Sequence, residues 1–218
     1  MTRKGILQID EIIQLTDKSI QELFTESFKE ITEILNVIKD QKFDSIINIA
    51  LTNYVIIRLV SLIETFCKNL ARKMIDEYHL QPKGIFEKDE IKISILDLEE
   101  IKKNEKITVG RIVSNEINFQ NPKEIDSTLS KLFGFTFFGA ITERSKQKML
   151  VITRDEIVHF FEWKDFYELF DIRHNVIHKM SNVNVDYKKT NRFFANSLLF
   201  LSYALSITSD KEKELGKK

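Results

Sequence analysis

The segment Phe170-Asp171-Ile172-Arg173-His174-Asn175-Val176-Ile177-His178-Lys179-Met180 gathers an arginine, two histidines and an asparagine into six residues. Arginine carries a permanent planar cationic fork that suits phosphate oxygens. Histidine trades a proton near neutral pH. Arg173 and His178 together are a minimal kit for cleaving a phosphodiester without a metal. On a straight α-helix, positions five apart diverge by about 140°. Either the arginine reaches across, or the helix loosens there.

Other chemistries compete for the same residues. Asp171, His174 and His178 stand at i, i+3 and i+7 on one helical face, and Glu64 could add an oxygen ligand from a second helix. Imidazole and carboxylate ligands inside a bundle suit zinc or iron. The paired Glu-x-x-His segments of a di-iron bundle are lacking, so the reading assigns no metal and no cofactor. A plainer alternative leaves Arg173 paired with Asp171 or Glu168 on the helix surface. Glu64 lies between the apolar Ile63 and Phe66; pointing inward it needs a partner, for which Arg173 is the candidate, and otherwise it faces solvent. The sequence contains no phosphate-binding G-x-x-x-x-G-K-[ST] loop, no G-x-G-x-x-G turn and no G-x-S-x-G elbow. Its single cysteine, Cys67, excludes an internal disulfide and a cysteine-built zinc site.

The elements that must carry these residues read as helices. Ile20, Leu23, Phe24, Ser27, Phe28, Ile31, Ile34, Leu35 and Ile38 form one stripe in a helix from Asp17 to about Gln41, with a capping-box pattern at Ser19 and Glu22. Asp44 is the N-cap of a helix from Ser45 to about Tyr78, apolar around more than half its circumference and stopped by Pro82 and Gly84. Residues 85–106 alternate between strand and helix patterns. A short helix follows over Thr108 to Asn115. Asn121-Pro122-Lys123-Glu124 opens another helix that Gly134 ends. Phe135, Phe137 and Phe138 enter a loop or short strand. A cap at Asp155 precedes the aromatic run from Ile157 to Met180, and a last helix spans Tyr187 to about Thr208.

Across 218 residues, 43% are hydrophobic and 30% charged, which supports a sizeable core and rules out a disordered chain. Six glycines and two prolines are too few for the turns of a β-sandwich. The expected fold is an all-α bundle, one domain over 1–210 with a charged tail over 211–218 and an irregular insertion after the long second helix. No signal peptide or membrane span is expected, and the cytoplasm is the expected compartment.

The motif and its layout resemble the HEPN superfamily, whose pattern is an arginine, four to six residues and a histidine on the penultimate helix of a small bundle. Arg173-His174-Asn175-Val176-Ile177-His178 matches its shortest spacing. Ser61-Leu-Ile-Glu64-Thr-Phe66 and the stretch from Asn121-Pro122 to Gly134 are similar to the branch called RiboL-PSP-HEPN or MAE-like HEPN. Arg72 to His79 and Arg154 to His159 satisfy the same loose spacing. The layout favours 173–178: a long helix leads in, a polar break follows, and one apolar helix closes the chain.

The resemblance implies a metal-independent endoribonuclease in which a ribose 2′-OH attacks the adjacent phosphate, leaving a 2′,3′-cyclic phosphate and a 5′-OH. It gives His178 proton transfer and Arg173 the charge developing at phosphorus, with His174 and Asn175 supporting. It also implies a homodimer with two motifs facing one cleft. The setting would be a toxin–antitoxin or antiviral defence system, with an antitoxin or other regulatory partner protein. Met180 stands where some relatives carry a modifiable tyrosine two residues after the motif histidine, so that form of control is not expected. A non-catalytic HEPN-like binding module is the alternative.

The chain is neutral overall, with 33 basic and 33 acidic residues. An RNA backbone must therefore be met by a local patch. Lys179, Lys188, Lys189 and Arg192 form such a strip around the polar break, opposed in sequence by Asp186 alone. The basic segment Arg144-Lys146-Lys148 is the next candidate.

Overall fold

A computed structural model describes residues 20–40, 44–85, 99, 101–104, 107–146, 151–152, 158–179 and 183–216. The chain is all-α. Among the described residues the helices include α1 (Ile20–Lys39), α2 (Ser45–Asp76), α3 (Val109–Glu116), α4 (Pro122–Phe133), α5 (Phe137–Ser145), α6 (Trp163–His178) and α7 (Tyr187–Gly216), with a two-residue antiparallel pairing, β1 (Val151–Ile152) with β2 (Val158–His159), between α5 and α6. The proposed caps at Ser19 and Asp155, most of the 85–106 insertion, Lys148 and Met180 lie outside the described residues.

Helix α2 is the axis of the bundle and touches α1, α3, α4, α6 and α7. Asp44 caps it by accepting a hydrogen bond from Ile47 N at 3.0 Å. Val55, Ile56, Leu59, Val60, Ile63, Cys67, Ala71 and Met74 are buried along its length. By length and composition this helix could cross a membrane; in the fold its apolar face is the centre of the core. Burial pushes the Cys67 thiol far above its ordinary value, so it behaves as a small apolar group.

Helix α3 approaches α2 closely at Gly110, where an added Cβ would lie 2.7 Å from Arg72 O and from the Asp76 carboxyl. Asp76 accepts a hydrogen bond from Gly110 N at 2.7 Å and another from the Thr108 hydroxyl, while Thr108 in turn caps α3 through Arg111 N. Gly110→Ala should lower unfolding free energy by about 1–3 kcal/mol, because the methyl group must displace backbone rather than a flexible side-chain tip. A urea titration of the variant beside wild type checks this.

Two elements differ from the sequence expectation. Phe137 and Phe138 open α5 instead of a loop or strand. Ser130 Oγ and Asp126 Oδ1 on α4 accept from their backbone N–H groups, each at 2.8 Å, and so satisfy donors that a helix start leaves free. Helix α7 continues to Gly216, past its expected end near Thr208 and into the charged tail. Asp210 pairs with Arg144, and Glu212 Oε1 lies 2.6 Å from Lys73 Nζ. The charges of the tail find opposite charges on α5 and α2, which extends the helix by two turns.

An aromatic cluster sets the position of α6. The Phe166 and Phe200 rings stack at 4.5 Å, and Phe138 lies 4.4 Å from Trp163. Trp163 Nε1 also donates to Thr142 Oγ1 at 3.0 Å. Just before α6, the side-chain amide of Asn196 on α7 accepts from Glu162 N at 2.7 Å and donates to Glu162 O at 3.0 Å. This buried amide fixes the residue at which α6 begins.

Candidate functional site on the penultimate helix

The roll of α6 follows from its apolar stripe. Phe166, Leu169, Phe170 and Arg173 stand at i, i+3, i+4 and i+7, and all four are buried. Arg173 therefore continues the inward face and is only 9% exposed. His174 and His178 fall on the outward face, where their rings lie 4.7 Å apart. Helix α6 stays α-helical through His178, with Lys179 N donating to Asn175 O at 3.1 Å. The helix does not loosen, and within one chain the motif's arginine and histidine point to different sides.

Buried cations need counter-charges. Glu64 Oε1 on α2 lies 3.5 Å from Arg173 Nη2, and Gln120 Oε1 accepts a long hydrogen bond from Arg173 Nη1 at 3.5 Å. Arg173 Nε and Glu64 Oε1 are nevertheless buried without a hydrogen-bond partner. The pair is close but incompletely satisfied, so both groups retain bonding capacity. Its inward position excludes the surface pairing of Arg173 with Asp171 or Glu168; Glu168 is engaged by Lys189 instead.

Burial raises the Glu64 carboxyl above its ordinary 4.5, against the lowering influence of Arg173 and then Lys68. The folded protein thus binds this proton more readily than the unfolded chain does. Where the unfolded chain has released the proton and the folded protein has not, stability falls as pH rises; the contribution is complete below the ordinary value and lost through the raised one. Glu64→Gln should remove this decline, giving a flatter profile when urea unfolding is followed from about pH 4 to 7.

The cationic strip is narrower than its sequence suggests. Lys189 pairs with Glu168, and Arg192 Nη2 lies 3.2 Å from Asp165 Oδ1, so α6 carboxylates already neutralise two of the four cations. Lys179 and Lys188 are exposed and form no ion pair among the described residues. Asp186 caps the start of α7, accepting from Lys189 N at 2.7 Å. Asn175 is half-buried on α6.

The competing constellations are not assembled. Asp171, His174 and His178 are all exposed, and among the described residues no group of three His, Cys, Asp or Glu side chains is arranged to hold a metal ion. Glu64 faces Arg173 instead. In the rival motif His159 lies on β2, not on a helix, and Arg154 is outside the described residues. His79 follows the end of α2 in a left-handed turn, with φ 55°, whereas Arg72 remains within α2.

The sequence reading did not single out the residues beside Glu64. Glu64, Lys68, Asn115, Asn118 and Gln120 line a pocket of about 220 Å³ between α2 and the α3–α4 connection. The run Asn115 to Asn121, with four side-chain amides in seven residues, was the available signal.

Fold and site together describe an all-α bundle whose penultimate helix carries a buried arginine and an exposed histidine pair. No protein-family model, curated protein or solved structure matches the chain.

Proposed function

We propose that the chain is a metal-independent endoribonuclease of the HEPN type. The observation that carries this reading is the placement of Arg173: a cation inside the bundle, facing Glu64, five residues before the exposed histidine that ends α6. Stability alone gives little reason for a guanidinium there, since a well-packed apolar residue often does as well or better.

In the reaction, one histidine of the pair takes the proton of a ribose 2′-OH as its oxygen bonds to phosphorus. The P–O5′ bond breaks, and a second imidazole protonates the departing 5′-oxygen. His178 takes the first role, with His174 or a histidine of a second copy supplying the other. Arg173 neutralises charge on the phosphate by exchanging its carboxylate partner for phosphate oxygens. Because Arg173 and His178 diverge within one helix, a histidine facing Arg173 must come from elsewhere, and the homodimer that the family resemblance implies supplies a second motif. A toxin or antiviral effector held by a regulatory partner in the cytoplasm is the setting that the family resemblance implies.

Mixed RNA incubated with the protein in chelator tests this, with end-group analysis of the products. Cyclic phosphate ends that disappear in His178→Ala support the nuclease. Binding without cleavage supports a non-catalytic helical module, the reading that the Glu64–Arg173 pairing would otherwise favour.

RNA approaching this end of α6 meets Lys179 and Lys188. Changing both to glutamine should weaken binding and reduce the log–log salt slope by about 1.4, two phosphate contacts at about 0.7 each on a single strand. Unfolding free energy should move by less than about 0.5 kcal/mol. Binding measured between low and moderate salt reads both effects.

A further inference from the structure

The pocket beside Glu64 has a composition that selects among ligands. Two carboxylates, Glu64 and Glu116, face one ammonium, Lys68, so a free phosphate is disfavoured. Among the described residues no metal-holding group exists, and the ammonium would oppose a cation there. The remaining polar lining consists of side-chain amides, which donate and accept at once. Buried Ile117 and Phe119 form an apolar floor. The site therefore suits a small, flat, neutral molecule with several hydrogen-bonding groups on its edge. A volume of about 220 Å³ is enough to admit one nucleobase.

Carboxylate chemistry narrows the choice. Glu64 brings a carboxylate to the pocket wall, its side chain 15% exposed and its buried Oε1 lying beside Arg173. An ionised carboxylate accepts and does not donate. Guanine alone among the four RNA bases presents two adjacent donors, N1–H and the 2-amino group, on its pairing edge. Its O6 is an acceptor that an ammonium or amide N–H can meet. Adenine and cytosine place a ring acceptor beside their amino group, and uracil has one donor between two carbonyls; each would set a lone pair against the carboxylate. Unstacked single-stranded bases are read along such edges.

We infer that the pocket between α2 and the α3–α4 connection binds a guanine base, with Glu64 accepting from N1–H and the 2-amino group and Lys68 donating to O6. Its use in choosing the cleavage position rests on the nuclease reading. Gln120 and Glu64 line the pocket and also touch Arg173, so a guanine there would lie beside the arginine and select the phosphate next to it.

Binding can be tested apart from cleavage. The full chain carrying His178→Ala would be titrated with the 5′-monophosphates of deoxyguanosine, deoxyadenosine, deoxycytidine and thymidine, following backbone amide shifts. The expected result is deoxyguanosine monophosphate bound at least about tenfold more tightly than the others, as one bidentate contact provides. Shifts should centre on residues 115–120. Glu64→Gln and, separately, Lys68→Met should each remove the preference; the second variant covers the case in which the first disturbs Arg173. Equal affinity for all four, no binding at millimolar concentration, or a preference that survives both variants overturns the inference. Wild-type chain that cuts RNA without regard to base overturns the pocket's role and leaves the nuclease standing. Selective guanine binding with no RNA cleavage overturns the nuclease and leaves the pocket standing.

Discussion

His178→Ala should lower RNA cleavage by about 10²- to 10⁴-fold, the usual loss when a positioned proton-transfer group is removed. The protein should remain folded. His178 is exposed at the end of α6 and its ring contacts His174, so alanine there opens no cavity. Unfolding free energy should change by under about 0.5 kcal/mol. Cleavage rate and denaturation midpoint, measured on one preparation, separate chemistry from folding. Undiminished cleavage would remove His178 from the mechanism. If Arg154→Ala and His159→Ala inactivate instead, the motif lies at 154–159.

Arg173→Ala should also abolish cleavage, but at a structural cost that His178→Ala lacks. Arg173 fills space on the inward face of α6 and sits against Glu64, whose side chain is 15% exposed. Removing one partner of a buried pair strands the other charge and costs about 3–5 kcal/mol. Glu64 limits the loss by protonating, because its affinity for a proton is already raised and the alanine removes the cation opposing that. Two outcomes follow. Arg173→Ala should be visibly destabilised near neutral pH and recover as pH falls. Adding Glu64→Gln to it should restore stability without restoring cleavage. Arg173→Lys keeps the charge but not the fork, so it should be more stable than Arg173→Ala and still deficient in cleavage. Urea midpoints at two pH values, set beside cleavage assays, resolve these cases. A destabilised yet fully active Arg173→Ala would make the arginine structural.

Much of the architecture was legible one helix at a time. The capping patterns at Asp44 and Asn121, the left-handed Gly134 and the stripe of α1 are local: each depends on residues within a few positions of one another. The spacing of Arg173 and His178 was legible, but the side on which Arg173 falls was left open until Phe166, Leu169 and Phe170 were set on the inward face. The same spacing turns His178 away, and it requires an anion across the contact for which Glu64 was the available residue.

Tertiary contacts decided the rest, because they join residues that no local pattern connects. Helix α5 begins where it does because Asp126 and Ser130 capture two of its backbone donors. Helix α7 outlasts its apolar stripe because Arg144 and Lys73 hold Asp210 and Glu212. Two of the four cations in the basic strip face α6 carboxylates across an interhelical gap, so counting charge along the chain overstated it. The pocket beside Glu64 assembles one turn of α2 with a connection some fifty residues later. Sequence alone determined that this chain forms amphipathic helices with an arginine and two histidines near the end of one. Packing determined which of those charges are already neutralised and which groups share a cavity, since ion pairing and desolvation act through space and not along the chain.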